Sequence, residues 1–285
     1  MTNFSTFINC DQLVKNYQSL EYLIIDCRFD LSDPNWGYQD YLKYHIPNAI
    51  YADLDKDLSG PKTELTGRHP LPATLDFLEI CSLWGVDPQK QVVVYDTTAG
   101  SFAARLWWML KYYGHSNVAI LEGGISAWKS HEFPLESGNV VPKPSHFSAT
   151  LNQTMLVTTT ELEEIIETDD KLLLDARSPE RFSGKEEPID KIAGRIPKSL
   201  NFFHQSNLDN NGNLLPKNEL LTKYNELLGN TSSQDVILYC GSGVTSCFNI
   251  AVLQHIGIGT PRLYLGSWSE WITNPSHTII NDSLK

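Results

Sequence analysis

One cysteine in this chain stands where the sequence can make it reactive. Cys240 follows the apolar run Val236-Ile237-Leu238-Tyr239 and opens the loop Gly241-Ser242-Gly243-Val244-Thr245-Ser246. Apolar residues in a row, closed by a glycine turn, read as a buried strand. Beyond the loop, Val244, Cys247, Phe248, Ala251, Val252 and His255 recur at helical spacing, and Gly257 supplies a stop. Cys240 is therefore expected between a strand end and a helix N-terminus. Loop amides converge there and add to the positive end of the helix dipole. Both favour the thiolate, which is the form that attacks. Most cysteines at strand ends are merely buried, but glycines and hydroxyl residues in this loop argue for an accessible nucleophile. Cys247, at a periodic helix position, reads as core.

Around this loop, the chain contains the same unit twice. Tyr22-Leu23-Ile24-Ile25-Asp26-Cys27-Arg28 matches Lys171-Leu172-Leu173-Leu174-Asp175-Ala176-Arg177, and His45-Ile46-Pro47 matches Arg195-Ile196-Pro197. Val92-Val93-Val94-Tyr95-Asp96 matches Val236-Ile237-Leu238-Tyr239-Cys240, and Gly123-Gly124 to Trp128 matches Gly266-Ser267 to Trp271. Two copies of such length mean duplicated domains rather than a solenoid. In each copy apolar strand runs alternate with helical patterns, the signature of an α/β fold with a mainly parallel sheet flanked by helices. Strands are expected at 23–26, 92–95, 118–121, 172–175, 236–239 and 263–265, with a helix over 103–113 whose Trp107 and Trp108 belong to the core. The domains are expected at 1–138 and 155–285, joined by a linker over 137–154 rich in Ser, Pro, Asn and Thr. Asp96 stands where the second copy has Cys240. A carboxylate cannot carry sulfur, so the first copy reads as inactive. Its loop Thr97-Thr98-Ala99-Gly100-Ser101 is expected to be a satisfied loop rather than a binding site.

The chain has 285 residues, enough for two domains with proper cores. A net charge of −12 argues against nucleic acid or an anionic membrane surface as partner. A small anionic substrate must then be attracted locally, against the overall field. The first ten residues lack a basic start and a long apolar core, so no secretory leader is expected, and no apolar run approaches spanning length. Five cysteines show neither a disulfide framework nor metal-ligand spacing. Reduced thiols in a cytoplasmic setting, with no metal and no cofactor, are expected.

Cys240-Gly241-Ser242-Gly243-Val244-Thr245, followed by a helix and then Gly266-Ser267-Trp268-Ser269-Glu270-Trp271, resembles the rhodanese superfamily. Within it the loop is most similar to that of 3-mercaptopyruvate sulfurtransferases. Thiosulfate-type members typically carry Arg-Lys after the cysteine, where this chain has Gly241-Ser242. The resemblance covers nearly the whole chain and implies two tandem rhodanese-like domains, the second catalytic. It implies sulfur transfer from 3-mercaptopyruvate through a Cys240 persulfide to a thiophilic acceptor such as cyanide, a thiol or the dithiol of thioredoxin. Gly241, Ser242, Gly243, Val244, Thr245 and Ser246 would cradle the persulfide. The arginine of the family's Arg-Phe pair matches Arg181, whose planar fork suits a substrate carboxylate. Arg177, mirrored by Arg28 in the first copy, reads as a structural ion pair. A further substrate arginine found in some members has no clean match in 186–195, and Arg195 is the candidate to compensate. The family's Asp–His–Ser proton relay matches Asp55, His69 and Ser242, and would draw on both copies. Two other readings stay open: thiosulfate as donor, and a non-catalytic rhodanese-like binding module. Retention of Cys240 argues against the module. A cysteine phosphatase would need an arginine closing the loop, where Ser246 stands.

Overall fold

The computed structural model describes residues 3–97, 100–168 and 170–284. The chain divides into two compact units. The first comprises Met1–Gly60, Leu71–Asn152 and Asn210–Leu214; the second comprises Pro61–Pro70, Gln153–Asp209 and Leu215–Lys285.

Each unit holds a five-stranded, all-parallel sheet with helices packed on it. In the first, β1 (Phe7–Ile8), β2 (Tyr22–Asp26), β3 (Ile50–Tyr51), β4 (Gln91–Tyr95) and β5 (Val118–Leu121) are ordered β1-β5-β4-β2-β3. In the second, β6 (Leu156–Val157), β7 (Leu172–Asp175), β8 (Leu200–Asn201), β9 (Val236–Tyr239) and β10 (Arg262–Tyr264) are ordered β6-β10-β9-β7-β8. The topology is thus the same in both copies. β4 and β9 are the central strands, buried along their whole length, which is why they read as unbroken apolar runs. Leu174 pairs with Leu238 and Asp175 with Tyr239 across β7 and β9. The helix Ser246–His255 is buried from Ser246 to Leu253, on every face and not along one stripe.

Every expected strand is present to within a residue at either end. The expected first-copy helix is Ala103–Tyr112, with Trp107 and Trp108 fully buried in the core. The two-residue strands β1, β3, β6 and β8 were not expected. The segment over 137–152, expected as a linker, lies against the first unit. Gly138 N donates to Leu42 O (2.9 Å), Ser145 N to Ser82 O (2.9 Å) and Asn152 N to Tyr112 O (2.8 Å), and Phe147 is buried. Its backbone polar groups find carbonyl partners there, which a polar composition alone does not reveal. Among the described residues no helix is long and apolar enough to cross a membrane.

Each sheet carries the same buried arginine at its C-terminal edge. Arg177 Nε and Nη2 donate to the Asp175 carboxylate at 2.6–3.1 Å, and Nη2 also donates to Gly194 O at 2.7 Å. Arg28 repeats this with Asp26 and Tyr44 O. Both pairs are fully buried, so removing one partner leaves an uncompensated charge. Arg177→Ala is expected to cost about 3–5 kcal/mol of unfolding free energy. Denaturant unfolding measures this, and a loss of activity with unchanged stability would contradict the structural role.

Candidate active site

Cys240 follows the C-terminal end of β9, the position at which open α/β sheets place their ligands. The loop behind it is fixed by backbone. Gly243 adopts φ +72°, and a Cβ there would collide with Leu265 O, so this turn requires glycine. The helix Ser267–Trp271 backs the loop: Trp268 N donates to Cys240 O (3.0 Å) and Ser269 N to Gly241 O (2.9 Å). Ser267 itself sits at φ +55°, the same value as Gly124 in the first copy. A non-glycine residue there costs about 1–2 kcal/mol. Its hydroxyl explains its presence, accepting from Cys240 N (3.1 Å) and donating to Tyr264 O (3.0 Å).

The sulfur meets hydrogen-bond donors from the start of the helix Ser246–His255. Ser246 Oγ donates to Cys240 Sγ at 3.4 Å. Burial pushes the Cys240 thiol up. Hydrogen bonds from the Ser246 and Thr245 side chains and from the Ser246 and Ser242 amides outweigh it, bringing the thiol down to about 7. Elsewhere burial acts without such donors. It raises Cys10 to about 11, and raises Cys27 and Cys81 as well. Cys247 is fully buried with Sγ 3.4 Å from Gly243 O, in keeping with its expected place in the core.

The expected accessible sulfur is not what the structure contains. Cys240 is only 2% exposed. Two guanidinium groups crowd the loop beside it: a Cβ on Gly241 would lie 2.7 Å from Arg68 Nη2 and 3.4 Å from both Nη atoms of Arg181. Arg68 and His69 come from Pro61–Pro70, first-copy sequence that belongs to the second unit. His69 Nδ1 lies 2.7 Å from Ser242 Oγ, and Arg68 Nη2 donates to the same oxygen at 3.3 Å. Asp55 lies in the first unit, exposed, its amide donating to Asp53 Oδ1.

Arg181 stands beside Gly241, yet its fork is engaged. Nε donates to Glu187 Oε1 and Oε2 (3.0 and 3.1 Å) and Nη2 to Asp190 Oδ2 (2.9 Å). Asp190 also binds Arg68 Nη1 through its other oxygen. Arg195 is engaged elsewhere, where Nη1 binds Asp282 at 2.6 Å and the guanidinium lies over the Phe182 ring. Sequence reasoning noted Arg68 beside His69 without giving it a role of its own, and missed Glu187, Asp190 and Ser267. Of these three, only Ser267 left a signal, as the departure from Gly124 in an otherwise matching motif.

The first copy places an acid where the second has the cysteine. The Asp96 carboxylate accepts from the amides of Gly100 (2.9 Å), Phe102 (2.8 Å) and Ala103 (3.2 Å). Burial pushes the Asp96 carboxyl up despite these donors. Thr98 and Ala99 lie outside the described residues.

Comparison with known proteins finds the rhodanese-like domain model matching twice, over residues 9–131 and 158–274. The chain is 39% identical over 274 residues to a Pseudomonas aeruginosa protein named a probable 3-mercaptopyruvate sulfurtransferase, covering 95% of this chain and 96% of that one. It is 36% identical over 264 residues to a Mycobacterium tuberculosis protein provisionally named the thiosulfate sulfurtransferase SseB, covering 90% and 89%. Its structure superposes on that of the 3-mercaptopyruvate sulfurtransferase SseA from Escherichia coli with a TM-score of 0.81 at 31% identity, covering 94% of this chain and all of that one.

A thiol brought down to about 7 gains thiolate as pH rises through neutrality. Iodoacetamide should alkylate Cys240 with a half-maximal rate near pH 7, ahead of the other cysteines. Ser246→Ala removes a donor to the anion, and should move the midpoint up by about one pH unit. Rate-versus-pH profiles followed by peptide mass spectrometry read both. A midpoint near the ordinary thiol value in the wild type would count against the cradle.

Proposed function

We propose, from the premise that this chain belongs to the rhodanese family, that it moves a sulfur atom from 3-mercaptopyruvate through a Cys240 persulfide to a thiol acceptor. The supporting observation is the buried Cys240 thiol brought down to about 7 by the loop and helix N-terminus around it. The Cys240 thiolate attacks the donor's sulfur, forming an S–S bond as the C–S bond breaks. The electron pair of that bond passes to the donor's methylene carbon, giving the enolate of pyruvate. The donor's thiol proton passes by way of Ser242 and His69 to that carbon, and pyruvate leaves. The 2.7 Å contact of those two residues supports this route. The persulfide then gives its outer sulfur to cyanide or an acceptor thiol, and Cys240 returns as thiolate. Covalent storage of this kind gives ping-pong kinetics. A protein dithiol such as thioredoxin is the proposed physiological acceptor, and the cytoplasm, where thiols stay reduced, the proposed setting.

Arg181 is the proposed partner of the donor's carboxylate, with Arg68 beside it. The second reading, thiosulfate as donor, is favoured by one observation. The Gly241-Ser242 pair carries no charge, but the guanidinium groups of Arg68 and Arg181 stand next to Gly241 all the same.

Cys240→Ser should abolish persulfide formation with either donor while the fold persists, since a hydroxyl cannot form the S–S bond. Intact mass after donor treatment reads the added sulfur; an adduct that persists in this variant would remove Cys240 from the mechanism. His69→Ala separates the donors. Thiosulfate brings no thiol proton, so the variant should lower kcat with mercaptopyruvate by about 100-fold or more and spare thiosulfate. Equal losses with both donors would eliminate the proton route. Steady-state kcat/KM of the wild type with each donor decides between the two readings.

A further inference from the structure

The arginines beside Cys240 are neutralised before any substrate arrives. Arg68, Arg177 and Arg181 face Asp175, Glu187 and Asp190, three cations against three anions. The acids divide the work unequally. Asp175 belongs to the buried pair with Arg177. Glu187 binds Arg177 and Arg181 and also accepts from the amides of Ile189 and Asp190, so it anchors its own loop. Asp190 differs: its carboxylate bridges Arg68 and Arg181, one oxygen to each. It is also the acid of the three that lines an adjoining cavity of about 670 Å³, together with Arg68, Ile189, Ile192 and Ser269.

We propose that Asp190 is a specificity-determining residue, an internal carboxylate that holds the two guanidinium groups in the position a donor's carboxylate must take. The inference rests on the carboxylate-binding role proposed above for Arg181. A donor that reaches Gly241 exchanges one carboxylate for another across the same pair of guanidinium groups. The exchange favours ligands that can replace a bridging carboxylate and disfavours thiols without one. Between turnovers Asp190 keeps the arginines over the loop, and Cys240 stays covered. The apparent affinity for any carboxylate donor is then reduced by the fraction of molecules in which Asp190 has left.

Asp190→Asn keeps shape and removes the charge. It should lower KM for mercaptopyruvate on the order of tenfold, with kcat within a factor of about two. Asp190→Ser should act in the same direction, and Asp190→Glu, which restores the charge, should stay near the wild type. A merely structural Asp190 predicts the reverse, with lower kcat and unchanged or higher KM in both neutral variants. That result would overturn the proposal, and the serine variant supplies the measurement where asparagine fails to fold. Titration of each resting protein with pyruvate gives an independent reading, because it requires no sulfur transfer. Tighter pyruvate binding in the neutral variants supports the internal carboxylate; unchanged or weaker binding refutes it. Failure of the wild type to form a persulfide with mercaptopyruvate would instead strike the proposed reaction, and the pyruvate titration would still decide on Asp190.

Discussion

A sulfur anion removed from water must find hydrogen-bond donors nearby, and the second unit is arranged around that requirement. Burial alone would push the Cys240 thiol up, as it does for Cys81 in a helix of the first unit. At the end of β9 the opposing contribution comes from the hydroxyls of Thr245 and Ser246 and from loop amides. Those donors exist because a helix begins at Ser246 and leaves its first amides without intrahelical partners. The left-handed turn at Gly243, the Ser267 hydroxyl under Cys240 N and the close fit at Gly241 serve the same geometry.

The first copy repeats this arrangement around a different group. Its central strand, loop and helix repeat the architecture, and Asp96 stands in place of the cysteine. The acid accepts from the amides of Gly100, Phe102 and Ala103, yet burial outweighs these donors and pushes the Asp96 carboxyl up. The cradle is therefore a property of the strand–loop–helix unit and not of sulfur. What differs between the copies is the chemistry of the occupant: a carboxylate is an endpoint, whereas a thiolate can attack and be regenerated.

Much of this was legible in the sequence, for identifiable reasons. Buried parallel strands must be apolar on both faces, so β4, β7 and β9 announced themselves, and the repeat doubled the signal. Cys240 was marked by its place between strand and helix. The two-residue strands carried no period to detect. Asp190 and Glu187 sit in the stretch searched for a further substrate arginine, and only folding brings their carboxylates onto Arg68 and Arg181. Arg195 shows the converse. It follows the repeat into the position of His45, but the pairing of Arg195 with Ile280 places Asp282 within its reach. Residue type suggested a substrate cation; chain topology supplied a nearer anion.

Charge then links the site to the whole molecule. A chain with a net charge of −12 repels small anions at long range, and salt screens that field beyond about 10 Å. Selection of an anionic donor must come from short-range geometry. Arginine suits this, because its fork discriminates by shape as well as charge. With Asp190 and Glu187 in place, the guanidinium groups of Arg68 and Arg181 are held aligned without an unbalanced charge beside Gly241. The poise of the Cys240 thiol near neutrality, where thiolate fraction and intrinsic reactivity are both retained, comes from the hydroxyls and amides of its own loop and not from these arginines.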